Sequence, residues 1–161
     1  MLTRWNAGAA APTQARPFGL VGRMSGPADD LRLIRVDAVL QVGGTRVLQL
    51  REYVGGGAAT TMLGTAHISW TWDAWWWLEA EFDGPTLRAR LYPEGETRTG
   101  WAVTTTTSLR SPGAFGPASY ATGAQIPLAD IRRIEFQPLA EAAPAAAGAA
   151  DWTLAQTPVQ P

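Results

Sequence analysis

Two carboxylates, Glu79 and Glu81, stand two residues apart in the run Trp77-Leu78-Glu79-Ala80-Glu81-Phe82. On a β-strand, residues i and i+2 share a face, and two carboxyls on one face are the basic equipment of a glycoside hydrolase. Such enzymes hold the pair about 5 to 9.5 Å apart across the sugar, and the strand rise reaches only the lower part of that range. Asp83-Gly84-Pro85 follows as a turn, and Arg88 and Arg90 come after it. A hairpin would make Arg88 and Arg90 the cross-strand partners of Glu79 and Glu81, a charge ladder. A carboxyl beside a guanidinium stays ionised and makes a poor general acid. The pair therefore reads as a charge-laced sheet face, and no enzymatic activity is expected.

Other chemistries have even less to work with. His67 is the only histidine and cysteine is absent, which removes thiolate nucleophiles, disulfides and cysteine-ligated metal sites. No serine or carboxylate is spaced around His67 as a triad would need. Asp29, Asp30, Asp37 and Asp73 could converge on calcium, but no ordered calcium-loop pattern is present, and neither a metal nor a cofactor is expected. Gly55-Gly56-Gly57 lacks the lysine and the following helix of a phosphate loop.

The aromatic content is the stronger signal. Five tryptophans fall within eight residues, Trp70-Thr71-Trp72-Asp73-Ala74-Trp75-Trp76-Trp77. That much ring area must pack against a core, a sugar or another protein. Alternation puts Trp76 with Leu78, Ala80 and Phe82 on the core side and Trp75 and Trp77 with Glu79 and Glu81 on the other. The candidate ligand or partner contacts are Trp70, Trp72, Asp73, Trp75, Trp77, Arg88 and Arg90. Sugar rings offer C–H faces that aromatic rings cover, and nearby charged groups could bind the hydroxyls.

Composition narrows the partners. A net charge of −1 over 161 residues leaves no electrostatic footprint for nucleic acid or an anionic membrane; Arg132-Arg133 is too small a basic spot to form a groove. No run of about 18 apolar residues is present to cross a bilayer, and no apolar run follows Arg4, so no secretory signal is expected. All 13 basic residues are arginine, the side chain that makes planar contacts and stacks on rings.

The elements that must position these groups are strands. Leu33 to Val42, Gly43-Gly44 and Arg46 to Tyr53 form a hairpin. Ala59 to Ile68 is a weaker strand. Trp75 to Phe82 and Thr86 to Tyr92 form the second hairpin, with Leu87, Ala89 and Leu91 inward. Trp101 to Leu109 reads as a strand, Ser111-Pro112-Gly113 and Gly116-Pro117 as a long loop with Phe115 to plug it, and Ile131 to Phe136 as the last strand. Turns every 8 to 12 residues and no sustained helical period predict an all-β antiparallel sandwich of jelly-roll type. Residues 1–30 read as an irregular N-terminal arm, residues 31–137 as the sandwich, and residues 138–161 as an Ala/Pro-rich tail. Trp5, Phe18 and Trp152 are the residues expected to dock these arms.

The segment Trp77 to Glu96 resembles the concanavalin A-like, laminin-G-like jelly rolls of bacterial secreted and phage virion proteins. In that family an aromatic residue opens a strand, a short turn follows, and the return strand ends in an aromatic and a small polar turn. Trp101 is similar to the tryptophan after this turn, Ser111-Pro112-Gly113 to a glycine-containing loop, and Ile131 to Phe136 to the closing strand; the resemblance covers residues 33 to 137. The family usually has further N-terminal strands, which this sequence does not display before Leu33. A sandwich lacking them would be either minimal or completed at an open edge by another subunit. The resemblance implies a structural protein of a virion, a capsid decoration or tail accessory, assembling with other virion proteins and with itself. A carbohydrate-binding module for cell-surface glycan is the alternative.

Overall fold

The computed structural model describes residues 1–5, 16–56, 59–71, 74–119 and 129–135. Trp72, Asp73, Trp152 and the tail over residues 138–161 lie outside them, and Trp5 is described in its main chain alone. Ten strands follow in chain order: β1 Leu2–Trp5, β2 Arg16–Ser25, β3 Arg32–Leu40, β4 Arg46–Val54, β5 Ala59–His67, β6 Trp75–Asp83, β7 Thr86–Pro93, β8 Val103–Thr106, β9 Ala114–Ser119 and β10 Ala129–Arg133. A single 3₁₀ turn, Ala28–Asp30, sits between β2 and β3.

The strands form two five-stranded sheets, a front sheet ordered β10-β1-β6-β7-β8 and a back sheet ordered β5-β4-β3-β2-β9. Every pairing is antiparallel. The protein is an all-β sandwich, as its turn spacing and alternation predict. Both expected hairpins form. Gly43 and Gly44 take left-handed φ of 85° and 88° in the β3–β4 turn, a conformation that costs glycine little. Asp83 pairs with Thr86 across a two-residue Gly84-Pro85 turn.

Period-2 alternation builds the core. Trp76, Leu78, Leu87, Ala89 and Leu91 from the front sheet meet Ile34, Val36, Ala38, Leu48 and Leu50 from the back sheet. A fully buried leucine such as Leu48, Leu78 or Leu87 contributes roughly 1.5–3 kcal/mol. At one end of the sandwich Phe82 meets Phe115 edge-to-face at 5.4 Å, and Arg23 donates to the Leu109 carbonyl at 2.6 Å. On β8 and just after it, Thr105 Oγ1 donates to the Leu63 carbonyl at 2.8 Å and Thr107 Oγ1 donates to Glu52. Those bonds tie β8 and the residue after it to the back sheet.

The structure corrects the expected irregular arm over residues 1–30. Arg16–Ser25 is a ten-residue strand between β3 and β9, and Leu2–Trp5 lies between β6 and β10. Two strands therefore precede Leu33. Glycine at 19 and 22 and proline at 17 break the local strand signature, while the pairing itself is made to distant residues: Phe18 faces Ser119 and Leu2 faces Trp77. Three further boundaries shift. The strand expected over Trp101 to Leu109 is the four residues Val103–Thr106, because Thr107 turns its hydroxyl to Glu52 and to the Leu109 amide. The expected long loop around Phe115 contains β9, and Phe115, 49 % exposed, meets Phe82 from this edge strand. The last strand among the described residues is Ala129–Arg133, beginning earlier than the expected Ile131 to Phe136, of which Phe136 lies outside the described residues.

Candidate functional site

The outer face of the front sheet gathers most of the chemistry-bearing residues. In an antiparallel pair, facing residues point to the same side. Leu2 faces Trp77 and Arg4 faces Trp75 on one flank of β6. Trp77 faces Tyr92, Glu79 faces Arg90 and Glu81 faces Arg88 on the other. The expected charge ladder is observed, with the pairing Glu79 to Arg90 and Glu81 to Arg88.

Each charged group on this face is engaged. Arg90 binds Glu79 in bidentate fashion, Nε to Oε2 at 3.0 Å and a terminal nitrogen to Oε1 at 2.8 Å, and it donates to the Thr99 carbonyl at 2.7 Å. Tyr92 donates its hydroxyl to Glu79 Oε2 at 3.3 Å, and Arg98 stands 3.6 Å away. Arg88 pairs with Glu81 and Arg132 with Glu94. Burial by itself pushes the Glu79 carboxyl up, but the hydrogen bonds and charge of Arg90, with Arg98 and the Tyr92 hydroxyl, outweigh it. Its pKa is held below the ordinary carboxylate value, so it is unsuited to protonate a leaving group near neutral pH.

This ionisation sets a pH dependence. A carboxyl with a depressed folded-state pKa stabilises the fold above its unfolded value, and the contribution is lost as pH falls through the folded value. Glu79→Gln is therefore expected to be less stable than the parent at pH 7, by at most about 1 kcal/mol for so open a pair, and to converge with it in acid. Urea midpoints measured from neutral pH downward check this. A gap that widens toward acid would contradict it.

Guanidinium groups lie over Trp75, Tyr92 and Trp101. Arg4 and Arg132 lie over the Trp75 ring at 5.1 and 4.6 Å from its centroid. Arg90 lies over Trp101 at 4.1 Å and over Tyr92 at 5.8 Å. Partly desolvated cation–π pairs of this kind contribute about 0.5–2 kcal/mol each. They help to fix the rings in place.

Of the expected contact residues, the structure brings together Trp75, Trp77, Arg88 and Arg90. It removes Trp70, which is 1 % exposed and part of the core; Arg46 lies over its ring at 5.7 Å and donates to its carbonyl. Phe18 is docked, as a core residue of β2 rather than through an arm. Arg4, Glu94, Arg98 and Arg132 complete the face without having been singled out for it. Arg4 and Arg132 reach Trp75 only because β1 and β10 pair beside β6, and no local spacing carries that information.

No family model matches the chain, and neither the curated proteins nor the solved structures provide a match.

The remaining features add no convergent site. An open depression of about 290 Å³ is lined by Gly44, Thr45, Arg46, His67, Ile68 and Ser69. His67 faces Val47 on the outer side of the back sheet, whereas Arg46 turns to Trp70 on the inner side, so the two side chains do not converge. Asp37 is paired with Arg35 on β3, apart from Asp29 and Asp30 in the 3₁₀ turn. Among the described residues no group of three or more metal-ligating side chains converges, and no helix is long and apolar enough to cross a membrane.

Proposed function

We propose that this protein is a non-enzymatic structural protein of a phage virion, a capsid decoration or tail accessory, that works by protein–protein assembly through the outer face of its front sheet. The supporting observation is the set of guanidinium groups laid over Trp75, Tyr92 and Trp101. Tryptophan, tyrosine and arginine are the side chains that concentrate binding energy at protein interfaces. Here they are pre-ordered by cation–π contacts and ion pairs, which lowers the entropy lost on docking. The virion setting rests on the resemblance of residues 77–96 to virion jelly rolls. Copies would then be placed by the symmetry of the particle.

The carbohydrate-binding reading keeps one supporting feature: Trp77 stands beside Tyr92 with no guanidinium over it among the described residues. Two measurements separate the readings. The assembly reading expects the chain in purified particles, and expects Arg4→Ala with Arg132→Ala to reduce its incorporation while leaving it folded. Saccharide titration is expected to leave tryptophan fluorescence unchanged. Saturable quenching that disappears in Trp77→Ala, with no chain in the particles, would replace assembly with glycan binding.

A further inference from the structure

A sandwich of open sheets has four edge strands, and each is a template for adding another strand unless something blunts it. Three of the four described edges are blunted. β9 contains Pro117, β10 contains Asp130, Arg132 and Arg133, and β8 is only four residues long. The fourth, β5, runs for nine residues, Ala-Thr-Thr-Met-Leu-Gly-Thr-Ala-His, with neither proline nor an acidic, lysine or arginine side chain.

Half of β5 is protected in another way. Leu50 faces Gly64 while Arg51 faces Met62, so Leu63 is an extra residue, a β-bulge that bends the strand. The Leu63 carbonyl accepts from Thr105 of the front sheet at 2.8 Å. Among the described residues the half before the bulge has no such bond across to the front sheet. Ala59, Thr60, Thr61 and Met62 are all exposed, Met62 at 43 %, although each is paired on its inner flank with β4.

We infer that Ala59–Met62 is a self-pairing edge, through which two copies of this chain join their back sheets into one continuous antiparallel sheet. The occupant is a second copy because the segment is self-complementary. A two-fold axis perpendicular to the sheet at Thr61 sets Thr61 against its own counterpart, with Thr60 facing Met62 on either side. Pairs at the axis then share a face, as antiparallel pairing requires, and threonine pairs are favourable across strands. No like charges meet at the axis, and a net charge of −1 per chain opposes association little. This interface is separate from the front-sheet face and does not depend on its proposed role.

The test is the mass of the full chain by sedimentation over a concentration series. The expected result is a dimer that Thr61→Lys converts to a monomer, because the substitution places two ammonium groups against each other at the axis. Thr61 is exposed, so the variant is expected to keep the circular dichroism spectrum of the parent. Thr61→Val, which keeps the β-branched shape, is expected to remain dimeric. A monomer at about 1 mM, the weak end of specific association, would overturn the inference, as would a dimer that survives Thr61→Lys. A dimer lost in Trp75→Ala but kept in Thr61→Lys would move self-association to the front face instead.

Discussion

Replacing Asp37 with alanine is expected to destabilise the protein by about 3–5 kcal/mol, the cost of stranding a buried charge by removing its partner. Asp37 is 2 % exposed and accepts from Arg35 at 2.7 Å, and Arg35 is itself buried. Both lie on the outer face of β3, where Val39, Val47 and Gln49 are also withdrawn from solvent. Removing the carboxylate leaves the guanidinium buried with its countercharge gone. Replacing both partners, Arg35→Met with Asp37→Leu, is expected to recover most of the loss, since a buried ion pair and an apolar pair of similar volume are often close in stability. A double-mutant cycle by urea denaturation measures the coupling. Additive single-variant effects would show that the two side chains do not act as a pair.

The same pair predicts a dependence on pH. Burial raises the Asp37 pKa, and the charges of Arg35 and Arg51 with the Arg35 hydrogen bond pull it back only in part. For an acid whose folded-state pKa is raised, the favourable contribution is fully present below the unfolded value, about 3.9, and is lost as pH rises through the folded value. In Arg35→Met the main opposing influence is gone. That variant is expected to lose stability relative to the parent as pH rises from about 4 toward neutrality.

Gly19→Ala is expected to cost about 3 kcal/mol or more, at the upper end for an overpacked site. Gly19 faces Asp37 across the β2–β3 ladder. A Cβ there would overlap the Val36 carbonyl oxygen and lie 2.8 Å from Asp37 Cα and the Val36 carbonyl carbon. These are main-chain atoms, so relief requires the ladder to open. Opening it releases Phe18 and Leu20 from the core and removes the strand that carries β9. Gly116→Ala on β9, where a Cβ meets nothing within 4 Å, is the matched control and is expected to change stability little. Denaturation midpoints of the two variants decide the matter. A Gly19→Ala protein as stable as the control would mean that β2 does not approach β3 so closely.

Much of the charged face is legible in the chain because its determinants are local. Alternation over Trp75 to Phe82 and the return through Arg88 and Arg90 define the faces, while the two-residue Gly84-Pro85 turn seen in the structure sets the register, since a one-residue slip would turn every side chain to the wrong side. The engaged state of Glu79 and Glu81 follows from that register. The same argument fails for β5, where the bulge at Leu63 interrupts alternation, so that Leu63 and Gly64 both contribute to the inner side. Nothing in Ala-Thr-Thr-Met-Leu-Gly marks the extra residue, because it is defined by the facing strand.

The sequence by itself determined the class of fold, the two hairpins and which residues of β6 and β7 face inward, all from interactions spanning a few residues. Only the tertiary structure decided that residues 2–5 and 16–25 are strands and that Trp70 is core while Trp75 is at the surface. It also decided that Arg4 and Arg132 meet over one ring. Pairs such as Leu2 with Trp77 and Phe18 with Ser119 are 75 and 101 residues apart in the chain. Such register is set by the burial and hydrogen bonding of the assembled sheets, which no local period encodes.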